Sequence, residues 1–363
     1  QKNIGALGEP SLALGRCFQR HVALSLAGLR GFSLADHHDL DSHKECHWAI
    51  LMGEISLMVL MGELLYSGKV KQVWSTEDPD VIEFRYTDQI SVFDQVIPSL
   101  IPRKGESLNR ASCHWFGLIE KEEICKTHVI EMNAPDRVLA RRFDVIREPG
   151  AISKDAENFF VPLEVICRHY LAGTAWRRYQ RGEASAEQFG FDSGDVLHEG
   201  ARLPEPFLEV STKFEKFDRN LGRGEALEIS NLDPGELDAI LEIVLEVDSV
   251  IERETSKRGL IHVDGKKEFA LGSGREPILI DSFGTLDEDR WWDAEAYEEG
   301  EIVQLSKEAV RKHYIETGHH AALYEARQSN TDEPPIPALP DSIIESTAEL
   351  YASMFQRLTG EAL

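Results

Sequence analysis

The stretch Asp233-Pro234-Gly235-Glu236, followed by apolar residues at 237, 240, 241, 244, 247 and 251, constrains this chain more than any other. Asp233 can cap a helix, Pro234 suits its first turn, and Glu236 sits where a capping box needs an acid. Leu237, Ile240, Leu241, Val244, Val247 and Ile251 recur at helical spacing, and Gly259 marks the exit. LIHVD (Leu260 to Asp264) then reads as a buried strand. PILIDSF (Pro277 to Phe283) follows across the turn GSGRE, which predicts a hairpin directly after the helix.

Upstream, β-rich runs alternate with turns at Leu65–Trp74, Val81–Tyr86, Val129–Met132 and Phe159–Cys167. After Pro162 the period changes and predicts a helix through Tyr179. Residues 180–210 are rich in Gly, Pro and acids and are expected to form a long connecting loop. After PPIPALP, a stripe of Ile344, Thr347, Tyr351, Met354 and Leu358 predicts a closing helix.

The chain has 363 residues and a formal net charge of -25. That length suits two domains or one large one. The charge repels nucleic acid and anionic membranes, so neither is an expected partner, and any anion site must gather its cations locally. The five cysteines are scattered without a CxxC pair, which argues against a disulfide framework or structural zinc and fits a reducing cytosol. The apolar stretch Ala49 to Leu65 is broken by Glu54 and Glu63 and makes a poor bilayer span. Residues 1–60 are set apart as an N-terminal extension of unknown role, expected to be poorly ordered. Met52, Met58 or Met61 could each begin the compact domain. HHDLDSHKECH (His37 to His47) holds four of the 13 histidines; it is either a polar loop or a metal cluster of no recognisable zinc spacing.

Several short constellations can carry chemistry. In LLYSGKVKQVW (Leu64 to Trp74), Gly68 permits close backbone approach, and Lys69 and Lys71 share one face if the segment is a strand. They would either hold a polyphosphate or guard a wet strand edge. Asp264, Lys266 and Glu268 alternate at period two in VDGKKEF, with Asp281 expected to face them across the hairpin. That set suits either magnesium with phosphate or a cross-strand ion ladder. Arg168 stands alone in the apolar part of EVICRHYLAGTAWRRY, with Thr174 near a turn, and its planar donors suit phosphate or carboxylate. STKFEKFDRN carries Lys213, Lys216 and Asp218, and DQISVFD ends in Asp94.

In their order along the chain these motifs, with DEDRWW and YASMFQRLTG after them, resemble the SAICAR synthetases (phosphoribosylaminoimidazole-succinocarboxamide synthases) from about Leu64 to Gly360. The resemblance implies an α+β fold in which a small antiparallel β lobe (residues 61–160) meets a larger ATP-grasp-like α+β lobe (residues 161–363), with the active site in the cleft. It implies an ATP-dependent ligase of purine biosynthesis. Such an enzyme joins L-aspartate to carboxyaminoimidazole ribonucleotide (CAIR) through an acyl phosphate, with Mg2+, in the cytoplasm, either alone or as a homo-oligomer. Carried over by position, Lys69 and Lys71 bind the nucleotide and Arg168, Thr174 and Arg290 bind substrate; Lys266, from its place in VDGKKEF, joins the nucleotide side and Asp94, from DQISVFD, the substrate side. Lys213, Asp218 and Asp264 become catalytic, and Asp264, Glu268 and Asp281 hold the metal. A carboxylate cannot react directly with an amine at neutral pH; ATP converts it to an acyl phosphate, and the protein positions and neutralises.

The chain departs from the resembled pattern at three places. The strand usually written DTKFEFG has Gly265 and Ala270 here. The STK loop is short, with Phe217 where histidine is common. Ser282 follows Asp281 where the pattern often has Glu. A related carboxylate–amine ligase with other substrates, or a silent nucleotide-binding homologue, are the competing expectations.

Overall fold

The computed structural model describes residues 62–148, 150–215 and 218–363. The extension with its histidine cluster, the apolar stretch up to residue 61, Lys216 and Phe217 lie outside the described residues.

Strands β1 (Leu64–Ser67), β2 (Lys71–Ser75) and β3 (Val81–Tyr86) form an antiparallel meander. The GKVK motif is thus not one strand. Gly68 donates its N–H to the carbonyl of Lys71 at 2.9 Å, and residues 68–70 turn the chain. A tight hairpin of β4 (Gln89–Val92) and β5 (Gln95–Leu100) follows. Its two connecting residues, Phe93 and Asp94, have φ of 50° and 66°, as a type I′ turn requires. Helix α1 (Lys104–Lys121) comes next, then β6 (Lys126–Thr127), β7 (Val129–Ala134) and β8 (Arg137–Arg141). The first sheet runs β1-β2-β3-β8-β7 and is antiparallel throughout.

The second sheet is built on long strands. β9 (Phe159–Tyr170) runs straight through the segment expected to become helical after Pro162; helix α2 is only Gly173–Gln180. Both faces of β9 are covered, so its apolar residues run on without the alternation that marks a half-exposed strand. The expected loop 180–210 ends in a further strand, β10 (Arg202–Thr212), whose pairing with β9 is interrupted between Arg202 and Phe207. Helices α3 (Arg223–Ser230) and α4 (Pro234–Ser256) follow. The α4 start is the expected capping box: Glu236 N–H donates to Asp233 Oδ1 and Asp233 N–H to Glu236 Oε2, both at 2.8 Å.

β11 (Leu260–Leu271) and β12 (Pro277–Ile280) form the expected antiparallel hairpin, and β13 (Arg290–Asp293) pairs with the first half of β11. The sheet order is β10-β9-β11-β12-β6, with β6 parallel to β12. Helix α4 lies on β9 and β11 through Leu237, Ile240, Val244, Val247 and Ile251, all nearly inaccessible. Truncating Leu237, Ile240 or Ile251 to Ala costs about 2–5 kcal/mol. Short helices α5 (Ala294–Glu298), α6 (Glu308–Glu316) and α7 (His319–Ser329) lead to α8 (Asp341–Thr359), the expected closing helix, which packs on α1. The architecture is α+β, a small antiparallel lobe beside a larger mixed one. Among the described residues no helix is long and apolar enough to cross a membrane.

Candidate active site

The middle of β11 presents alternate side chains to a charged cleft. Lys266 and Glu268 point into it, and in the register of the sheet Glu268 stands opposite Glu164 on β9 and Ile280 on β12. Asp281 follows Ile280 directly with φ of 68°, a left-handed conformation costly for a residue with a side chain. Lys213, just after β10, brings a second ammonium. Lys213 Nζ lies 2.9 Å from Glu164 Oε1 and 2.6 Å from Glu268 Oε1; Lys266 Nζ lies 3.0 Å and 2.6 Å from the same two oxygens. Lys71, from the other sheet, donates to Asp281 Oδ1 and to Ser282 Oγ at 3.2 Å. Three lysines thereby meet Glu164, Glu268 and Asp281.

Burial first, and then the Asp281 charge, push the Glu268 carboxyl up to about 7. Asp281 is held the other way: burial opposes ionisation, yet Lys71, Lys266 and Lys213 keep its carboxyl well below the usual carboxylate range. Glu268 Oε2 is buried without a hydrogen-bond partner. A buried carboxylate oxygen left unpaired is costly and asks for a cation or donor.

A second cluster lies further along the same strands. Arg168 on β9 and Arg290 at the start of β13 each donate through Nη1 to Asp264 Oδ2 at 2.7 Å. Arg168 also donates to Thr174 Oγ1 at 3.0 Å and to Glu209 Oε2 at 2.5 Å. Arg178 donates to the other Glu209 oxygen. Arg168 is only 4% exposed, so these partners are what make its charge tolerable there. Gly173 has φ of 56°, and a Cβ on it would lie 2.4 Å from Arg290 Nη2; the guanidinium rests against bare backbone.

The expected residues therefore sort into groups. Lys71, Lys213, Lys266, Glu268 and Asp281 come together, as do Arg168, Thr174 and Arg290. Asp264 does not join Glu268 and Asp281. It is four residues from Glu268 along an extended strand, about 13 Å, and its Oδ2 is shared by two guanidiniums. In this geometry it is the counter-ion of the arginine pair. Lys69 sits in the β1–β2 turn, paired at 2.8 Å with Asp94 at the tip of the β4–β5 hairpin; both are well exposed. Asp218 is exposed near the lysine cluster, and the surrounding protein and the Glu164 charge push its carboxyl above the usual range.

Glu164 and Glu288 escaped the sequence reading. Glu288 Oε2 lies 3.6 Å from Lys266 Nζ and Oε1 lies 3.5 Å from Ser282 Oγ. An acid thus reaches the place where Ser282 had left one missing, from six residues further on. Lys267 was also overlooked; it stands at the Phe of DTKFEFG, and a lysine on the core-facing side of a strand was the available signal.

Residues 64–325 match the SAICAR synthetase family. The phosphoribosylaminoimidazole-succinocarboxamide synthase of Thermoplasma acidophilum is 45% identical over 299 residues, spanning 82% of this chain and 99% of that one. Its counterpart in Thermoplasma volcanium is 42% identical with the same coverage. Among solved structures, SAICAR-synthase from Saccharomyces cerevisiae complexed with SAICAR superposes with a TM-score of 0.63 at 23% identity, over 83% of this chain and 96% of that one. A SAICAR synthetase in complex with ADP gives 0.58 at 24% identity, over 83% and 99%. These two likenesses bear on the fold.

Proposed function

The chain belongs to the SAICAR synthetase family, and from that premise we propose how its cleft divides the labour of the ligation. The protein is an ATP-dependent ligase of purine biosynthesis that joins L-aspartate to the carboxylate of CAIR, giving SAICAR, ADP and phosphate. The carboxylate is first phosphorylated, because oxide is no leaving group, and the acyl phosphate is then captured by the aspartate amine.

Lys71 and Lys266 receive the triphosphate, with Lys69 as an outer contact from its turn. Arg168, Thr174 and Arg290 hold the ribonucleotide through its phosphate, a role suited to paired planar donors. Asp264, whose Oδ2 accepts from both, holds the two guanidiniums beside each other until the anion arrives. Lys213 sits where it can neutralise charge building on the reacting carboxylate. Asp94, the exposed partner of Lys69 at the hairpin tip, would contact substrate from there, and Asp218, with its raised carboxyl, would take the proton from the incoming amine.

Magnesium fits the carboxylate end of the cleft: Glu268 has a buried oxygen with no partner, and Asp281 and Glu288 add hard oxygen donors. When bound it would supply charge neutralisation for phosphoryl transfer. Glu268, Asp281 and Glu288 would hold it, rather than Asp264. Among the described residues Cys113, Cys125 and Cys167 are free thiols, which supports a reducing compartment such as the cytoplasm.

The observation that carries this reading is the pairing of two anion sites on one set of strands, lysines gathered on Glu164 and Glu268 and, a few residues along β9 and β11, two arginines gathered on Asp264. The test is ADP release, expected only when CAIR and L-aspartate are both present. Release with other amino acids at comparable rates would instead indicate a ligase of different substrate.

A further inference from the structure

Lys267 lies between the cleft residues Lys266 and Glu268, and strand alternation turns it to the opposite face, toward α4. It is 1% exposed. Its ammonium pairs with Asp248 Oδ1 on α4 and lies 3.6 Å from Asp289 Oδ2. His262 Nε2 is 2.8 Å from the same Asp289 oxygen, and His169 Nε2 is 3.3 Å from Asp248 Oδ2. All five side chains are buried. The β11–β13 pairing shifts between His262 and Asp264, so His262 joins this network while Asp264 meets the arginines. Cys167, His169 and Asp248 lie close enough to cradle a metal ion, but the Lys267 ammonium already supplies the positive charge at Asp248.

The network ends at the cleft. Asp289 immediately precedes Arg290, and its Oδ1 accepts from the Gly284 N–H at 3.1 Å, closing the segment that carries Glu288, just beyond Asp281 and Ser282. Space for this arrangement exists because residue 265 is glycine: a Cβ there would lie 2.2 Å from Asp289 Oδ2 and 2.8 Å from His262 Nε2. We infer that the buried side chains Lys267, Asp248, His262 and Asp289 form a positioning device for Arg290, setting ribonucleotide affinity from behind the sheet. The inference rests on the assignment of Arg290 to the ribonucleotide made above. Asp289 and Lys267 touch no substrate; they act through the backbone that presents Arg290.

The test uses the full chain with Gly265→Ala and Asp289→Asn, each alone and combined with Arg290→Ala. Either single change should raise the KM for CAIR about tenfold or more, with kcat and the KM for ATP moving less than about threefold. In the Arg290→Ala background neither should raise it further, because groups acting through one residue are not additive. Lys267→Met strands Asp248 and risks misfolding, so the double change Lys267→Met/Asp248→Leu removes both charges, and the same selective rise in KM is expected. A lowered Tm without a KM change, a loss confined to kcat, or additive KM effects with Arg290→Ala would each overturn the inference. If Arg290→Ala alone leaves the KM for CAIR unchanged, the failure lies in the assignment of Arg290 instead, and the positioning role falls with it.

Discussion

Lys71, carried by β2 of the small sheet, donates its ammonium to the carboxylate of Asp281 just past β12 of the large one. The two side chains are 15% and 20% exposed. Burial alone would favour their neutral forms, but each holds the other charged: Asp281 raises the Lys71 ammonium above its usual range, and Lys71 leads the cations that depress Asp281. A pair spanning two sheets fixes one lobe against the other, and a triphosphate entering between them competes directly for the lysine.

Replacing Lys71 with Met should therefore lower kcat/KM for ATP about 10- to 1,000-fold, corresponding to some 1.5–4 kcal/mol for one aligned charged donor. Lys69→Ala breaks only an exposed pair, for which about 0–1 kcal/mol, or less than about fivefold, is expected. Steady-state ADP release on both variants separates the two. Equal losses would return Lys69 to the inner triphosphate contacts.

The raised carboxyl of Glu268 gives a pH signature with a definite sign. Its value of about 7 lies above the roughly 4.3 of an unfolded glutamate. Between those values the folded chain retains a proton that the unfolded chain has lost, so stability falls as pH rises and the full penalty is felt above pH 7. Glu268→Gln has no such proton. Asp281 and Glu164, both depressed, titrate below this window. The stability of wild type relative to Glu268→Gln should decline by up to about 3 kcal/mol between pH 5 and pH 8. Thermal or urea unfolding of both proteins across that range measures it, and a flat difference removes the raised carboxyl from the account.

Asp264→Asn distinguishes a counter-ion from a metal ligand. The substitution keeps the size of the side chain but removes the charge shared by Arg168 and Arg290. Ribonucleotide KM should change at least about tenfold, while Mg2+-dependent ADP binding by calorimetry stays within about threefold. Loss of the magnesium dependence would place Asp264 in the metal shell after all.

How far the sequence reached depended on whether one residue's pattern was set locally. The α4 cap, its apolar stripe and the β11–β12 hairpin depend on neighbours a few residues apart, and they were legible. Helix α1 was missed because its buried face includes Lys104, Gly105, Ser107, Asn109 and Ser112, which blur the apolar period. β9 was misjudged for the opposite reason: a continuous apolar run fits a buried strand and a buried helix alike. β10 hides behind Pro204 and Pro206, at the interruption of its ladder. In the site, the ordered motifs picked out the lysines and arginines. Their grouping was not legible, because it follows from register: Glu164 meets Glu268, and Arg168 meets Asp264, only once β9 and β11 are paired. Glu288 enters by chain reversal after Asp281, which no spacing rule announces.

Gly173 offers a way to move Arg290 without touching any charge. Its φ of 56° makes alanine unfavourable by about 1–2 kcal/mol from backbone strain alone. The added Cβ would also meet Arg290 Nη2 at 2.4 Å, Nη1 at 2.7 Å and Cζ at 2.8 Å, so the guanidinium must shift. Gly182 is the natural control: its φ is 70°, yet a Cβ there meets nothing within 4 Å. Both Gly173→Ala and Gly182→Ala should lower Tm by similar amounts, because they share the strain. Only Gly173→Ala should raise the KM for CAIR, by about tenfold, with the KM for ATP nearly unchanged, since the atoms nearest the added Cβ all belong to Arg290. If both variants changed the two KM values alike, the effect would be general loosening of the fold, and the contact between Gly173 and Arg290 would carry no weight in binding the ribonucleotide.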